Sequence, residues 1–246
     1  MTKNDLPQSD VQSKLPLIYF MFTISIMHIC NVMAFKIVTI FGYQFAFTGI
    51  FFPFSFLLLT VLNESYGHVE TERHIFYILM GQSLLIGVIS LVIRFDVTNN
   101  VTTSGLYYEL YKNLYKLLLS SNLAVGLSYY FTSFLNSKLK CWFLGKSWWL
   151  RFIAANGLGK AILVLSTYPI NFYGILSWNQ IFHVCINTWI FKMCIALFLL
   201  AAAQPLIKMN RKFDNADIYD FGVLYNPTKI YKSGNYGENY FSKNNA

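Results

Sequence analysis

The sequence predicts an all-α polytopic membrane protein with six transmembrane helices. A short membrane-dipping segment is expected before the second helix, and both termini are expected in the cytoplasm (N-in/C-in). Three observations carry this. Of the 246 residues, 55% are hydrophobic and only 12% are charged, against about 25% charged in ordinary soluble domains. Runs long enough to cross a bilayer carry few or no charges. Basic residues gather in the segments that an even number of crossings places on one side. Mean hydropathy is +0.44, and Phe and Tyr number 23 and 17, more apolar surface than one soluble core of this size covers. A soluble enzyme, a disordered tail protein and a disulfide-stapled secreted module are therefore poor fits.

The elements follow in order. Residues 1–14 are polar and read as a flexible N-terminus. Residues 15–35 carry no charge and form the first span; at about 1.5 Å per residue such a run crosses the hydrocarbon. It is too long for a signal peptide and lacks a small-residue cleavage site at its end. Residues 37–63 are also charge-free, but Gly42, Gly49 and Pro53 interrupt them. The expectation is a membrane-dipping or interfacial piece over 37–48 and the second span over 49–63. Residues 64–74 read as a charged loop and 75–93 as the third span. Residues 94–112 read as a polar loop, with a weak amphipathic helix near 107–116. The fourth span is expected over 117–137, followed by a basic, Trp-containing loop to 151. The fifth span (152–169) contains Lys160 and the sixth (181–207) contains Lys192. The domain organisation expected is residues 1–14, a membrane domain over 15–207 and a polar tail over 208–246.

Six spans place thirteen Lys and Arg residues inside and three outside, with three in or at the spans. This positive-inside bias accounts for the net charge of +8, so no nucleic-acid partner is expected. Membrane lipid is the expected surroundings. Cys30, Cys141, Cys185 and Cys194 show no CxxC spacing and read as small apolar residues rather than ligands. Trp142, Trp148 and Trp149 read as interfacial anchors. No internal repeat is evident.

Enzyme signatures are lacking. Gly159-Lys160 and Gly145-Lys146-Ser147 fail as P-loops, because position 154 is Ala154, no Ser or Thr follows Lys160, and Lys140 stands where the opening Gly belongs. No nucleophile–base pair stands out, and the four histidines lack metal-ligand spacing. No cofactor and no metal is expected. The informative residues are polar groups at membrane depth, where an ionisable side chain faces a cavity or a partner. Lys160 and Lys192 are such groups, with Glu64 the nearest candidate counter-charge. Amides at Asn31 and Asn156 join them. The substrate-binding set expected is Asn31, Glu64, Asn156 and Lys192, lining one cavity for a flat polar solute, with aromatic side chains available for stacking. Arg151 is expected to anchor the start of the fifth span, and Tyr66 and Gly67 to shape the turn after the second.

Five stretches in order carry a family resemblance. They are Asn31 with Lys36 and Gly42; Phe52-Pro53 with Asn63-Glu64-Ser65-Tyr66-Gly67 and Arg73; Gly145-Lys146 with Trp149-Leu150-Arg151, Asn156 and Gly159; Phe191-Lys192 with Pro205; and Asp217, Asp220, Phe221, Asn226 and Pro227. In these the chain resembles the queuosine precursor transporters, also grouped as vitamin-uptake-like transporters. It departs from their pattern at Thr60 and Leu163, where acids are usual, and at Lys160, where a neutral residue is usual. The resemblance implies a diverged member of the family: a six-helix protein of the bacterial inner membrane importing a 7-deazaguanine. The lost acids imply a substrate that is more anionic or neutral. Two other functions compete. One is a substrate-binding membrane subunit that needs an energising partner. The other is a membrane protein with no transport role. A homo-oligomer is compatible with any of the three.

Overall fold

The computed structural model describes residues 14–33, 36–40, 43–94, 114–174, 176–225 and 237–240. Among them are five helices: α1 (Leu15–Val32), α2 (Thr48–Arg94), α3 (Leu114–Trp142), α4 (Trp148–Phe172) and α5 (Trp178–Asp214). Two short antiparallel strand pairs complete the described chain. Strand β1 (Ile37–Ile40) pairs with β2 (Tyr43–Ala46), Ile37 opposite Ala46. Strand β3 (Ile218–Tyr219) pairs with β4 (Glu238–Asn239).

The architecture is an all-α bundle, but not of six transmembrane helices. Four helices, α1, α2, α4 and α5, are long and apolar enough to cross a membrane. The expectation of six spans fails mainly at residues 64–74. These were to be a loop between the second and third spans; instead α2 runs through them for 47 residues, with one break at Gly67 (φ 80°, ψ 178°). That conformation is open essentially to glycine alone, so the chain turns at one residue and resumes the helix at once. The charges that suggested a loop are accommodated inside the fold. Helix α3 is not among the four, because buried Ser128, Thr132, Ser133, Asn136, Ser137 and Lys140 make it polar. The expectation that both termini lie in the cytoplasm was drawn from Lys and Arg counts over six spans, which these four helices divide differently. Where the membrane-dipping segment was expected, the chain forms the β1–β2 hairpin. The amphipathic helix expected from residue 107 lies mostly outside the described residues.

Helices α1 and α5 each bury one stripe. On α1 it is Tyr19, Thr23, Met27 and Cys30, and on α5 it includes Ile181, Cys185, Thr188, Lys192, Ala196, Ala203 and Ile207. The three- and four-residue spacings put each set on one helical face. Helix α5 opens with a capping box between Ser177 and Gln180, a device that contributes about 1 kcal/mol. Outer faces are apolar: Leu84, Leu123 and Phe198 are exposed, as suits helices bathed in lipid. Helix α2 packs against α1, α3 and α5, and α3 against α4. The α3–α4 approach is close because Gly159 has no side chain; a Cβ there would stand 1.8 Å from Thr132 Oγ1. Ser128 Oγ donates to the Gly159 carbonyl at 2.6 Å, the close backbone contact that small residues permit between membrane helices. The main core cluster gathers Met27, Phe52, Phe56, Ile78, Tyr129 and Leu163 from α1 to α4.

Candidate functional site

Two buried polar regions stand out. The first surrounds the break in α2. Glu64, one turn before Gly67, receives both arms of Arg151 from the first turn of α4: Nη1 to Oε2 at 2.8 Å and Nη2 to Oε1 at 2.9 Å. Both side chains are buried. This fork-to-fork geometry is the strongest pairing available to a carboxylate. Arg151 also donates to the Gly145 and Lys146 carbonyls. Beside it, Lys140 Nζ donates to the Glu64 carbonyl, to Asp217 Oδ1 at 2.8 Å and to the Ile218 carbonyl at 2.7 Å, which uses all three of its protons.

Residues 216–225 close over this region. Asp220 Oδ2 accepts from the His68 backbone N–H at 2.9 Å and from Ser137 Oγ at 2.5 Å. Restarting a helix after Gly67 leaves first-turn N–H groups without carbonyl partners, and Asp220 caps one of them from another part of the chain. Burial pushes the Asp220 carboxyl above the ordinary carboxylate range, against the hydrogen bonds from Ser137 and His68. The Tyr225 ring packs on His68 at 4.8 Å between centroids and lies under Lys138 Nζ at 4.2 Å. Burial raises its phenol to about 12.

The second region is a cavity of about 70 Å³ to which all five helices contribute, lined largely by the end of α1, the starts of α2 and α3 and the end of α4. Its walls include Asn31 from α1, Phe52 from α2, Ser121 from α3, Leu163, Thr167 and Tyr168 from α4, and Lys192 from α5. Lys192 is 4% exposed. Its Nζ lies 5.0 Å from the Phe52 ring centroid and 5.9 Å from that of Tyr168. Among the described residues it has no carboxylate partner. Tyr168 and Phe172 stack at 5.6 Å and 7°, forming a flat aromatic wall. Among the described residues Thr167 Oγ1 has no hydrogen-bond partner, although it is buried.

The four expected site residues divide between regions. Asn31 and Lys192 line the cavity together. Glu64 belongs to the first region, and its counter-charge is Arg151 rather than either lysine of the spans. Asn156 is fully buried in a polar relay and is not among the residues lining the cavity. Its Nδ2 donates to Thr60 Oγ1 at 3.1 Å and to the Phe152 carbonyl at 3.0 Å, and its Oδ1 accepts from Lys160 Nζ at 3.1 Å. Lys160 lies 5.0 Å from the Phe56 ring. Asn31 Nδ2 donates to Gln82 Oε1. Of the two positions where the resemblance expects an acid, Thr60 bonds to Asn156 and Leu163 lines the cavity.

Sequence reasoning missed the roles of Lys140, Asp217 and Asp220, the partnership of Arg151 with Glu64, and the wall formed by Phe52 and Tyr168. Asp217, Asp220 and Arg151 did stand in the stretches that carry the resemblance. That Lys140 is buried had one weak signal, its position three residues past an otherwise charge-free run.

Residues 46–204 match the family model described as "Putative vitamin uptake transporter". The match covers more than half of the chain. The chain belongs to this family. The matched stretch runs from the end of the β1–β2 hairpin through most of α5, so it holds Glu64, Arg151, Asn156, Lys160 and Lys192, while Asn31, Asp217 and Asp220 lie outside it. As a vitamin uptake transporter family member the chain is a multi-pass membrane protein that moves a small molecule and not an enzyme. Among the described residues no cluster of three His, Cys, Asp or Glu side chains could hold a metal ion. Neither the curated proteins nor the solved structures contain a match to the chain.

Proposed function

We propose that this chain imports a small planar polar solute across a bacterial inner membrane, and that the solute is a 7-deazaguanine precursor of the tRNA base queuosine. The observation that carries the reading is Lys192, a buried lysine lining an aromatic-walled cavity to which all five helices contribute. Aromatic walls suit a flat ring, and Lys192 and Asn31 offer donors to a ring carbonyl. In this reading Asn31 and Lys192 touch the solute. Asn156 holds Lys160 and Thr60 in place behind the cavity wall, and Glu64 acts as a positioning residue through Arg151. Family membership supports uptake, and the five stretches of resemblance support the deazaguanine.

The test is uptake of a labelled 7-deazaguanine by cells that lack both precursor synthesis and their own importer. Restored queuosine in tRNA supports the reading. No restoration by correctly inserted protein rejects the deazaguanine as substrate. Proteoliposomes containing this chain alone then ask whether an energising partner is required: uptake without one dismisses the binding-subunit alternative.

A further inference from the structure

The two polar regions treat their cations differently. Lys140 satisfies three acceptors and Arg151 holds a carboxylate with both arms. Lys192 is also buried, but among the described residues it meets ring faces in place of acceptors: Phe52 at 5.0 Å and Tyr168 at 5.9 Å. Among the described residues no Asp or Glu lines its cavity. One helical turn away, the Phe56 ring adjoins Phe52 at 6.1 Å between centroids and carries the second buried lysine, Lys160. Lys160 is held by the neutral oxygen of Asn156, and among the described residues no carboxylate pairs with it. Ring faces attract a cation only weakly compared with a carboxylate, and a buried charge is expected to have a partner. Thr167 Oγ1, also on the cavity wall, is a second polar group with its bonding unmet.

We infer that the cavity is built for flat solutes bearing an acidic group, whose carboxylate or equivalent delocalised anion pairs with Lys192 Nζ while the ring rests against Phe52 and Tyr168. The inference rests on the uptake reading above and narrows its substrate class. An acid supplies the counter-charge that the chain omits here, and Thr167 can donate to its second oxygen. A cationic solute would meet Lys192 and, among the described residues, no acid, and a neutral one would leave Lys192 unpaired.

The test is equilibrium binding to the full chain in lipid nanodiscs, with ligands matched in shape and differing in charge. One series is the 7-deazaguanine ring carrying at position 7 a carboxylate, a nitrile or an aminomethyl group. The other is nicotinate against nicotinamide. The carboxylate members are expected to bind at least about tenfold more tightly than their neutral or cationic counterparts. Lys192→Arg should keep that preference, Lys192→Gln should abolish it, and Thr167→Val should weaken it. The ratio within the native protein decides the matter even if a variant fails to fold. Tighter binding of the nitrile or aminomethyl form overturns the acid preference and leaves the deazaguanine reading standing. Binding of nicotinate but of no deazaguanine does the reverse. A preference that survives in a folded Lys192→Gln protein, or no saturable binding of any of these acids, overturns the inference.

Discussion

Arg151 and Lys192 make an instructive pair. Each is a cation on the inward face of a helix, and each is buried. Around Arg151 the chain supplies a carboxylate and two carbonyls in good geometry. Around Lys192 it supplies aromatic faces and an open volume. The Arg151–Glu64 pair spends its charges on one another. The network around it holds three pieces of chain together: the break in α2, the start of α4 and the segment after α5. A cation with an unmet valence in a cavity keeps its capacity for something that comes and goes. The same residue class thus serves stability in one place and recognition in the other, and the partner inventory tells them apart.

Mutations that exchange these characters test the contrast. The largest expected effect is Arg151→Met, which strands Glu64 as a buried anion. It should cost about 3–5 kcal/mol of stability, read as a lowered unfolding midpoint in detergent, and the double variant with Glu64→Leu should recover most of it. Gly67→Ala should come next, at about 1–3 kcal/mol. The added Cβ would stand 2.8 Å from Asp220 Oδ1, so the variant should also expose residues 216–225 to limited proteolysis. Lys160→Met, which removes one hydrogen bond to Asn156, should cost less than about 1 kcal/mol in the same unfolding assay. Lys192→Gln is expected to shift stability by no more than about 0.5 kcal/mol while uptake collapses. An Arg151-sized loss of stability there would place Lys192 among the structural cations and erase the contrast.

The smallest effect is a pH dependence at the closing segment. The Asp220 carboxyl titrates higher in the fold than in an unfolded chain, because burial disfavours its charged form. Its contribution is therefore fully present below the ordinary carboxylate range and declines as pH rises through the raised value. Hydrogen exchange at the His68 amide should quicken across that interval beyond its intrinsic pH trend. Asp220→Asn should flatten the excess, while Lys140 and Glu64, the neighbouring charges, remain in place.

Legibility in the sequence followed the range of the interactions. The apolar runs of α1, α4 and α5 were readable because length and composition are local properties, and Lys192 was readable because a charge inside such a run is conspicuous. Residues 64–74 misled because charge density resembles a loop when the partners are unseen. Glu64 meets Arg151 across 87 positions and Lys140 meets Asp217 across 77. No local rule foresees that a helix can continue through such a stretch. The hairpin at 37–46 was hidden for a related reason, since a short apolar run fits a strand and a membrane segment equally well.

By itself the sequence determined that this is a helical, multi-pass membrane protein with lysines where lipid-facing chemistry forbids them, because bilayer thickness and the cost of burying charge act on every such segment alike. The tertiary structure alone decided which of those charges are spent on one another and which is left facing a cavity. That choice depends on distances between residues far apart in the chain, which exist only once the helices have packed.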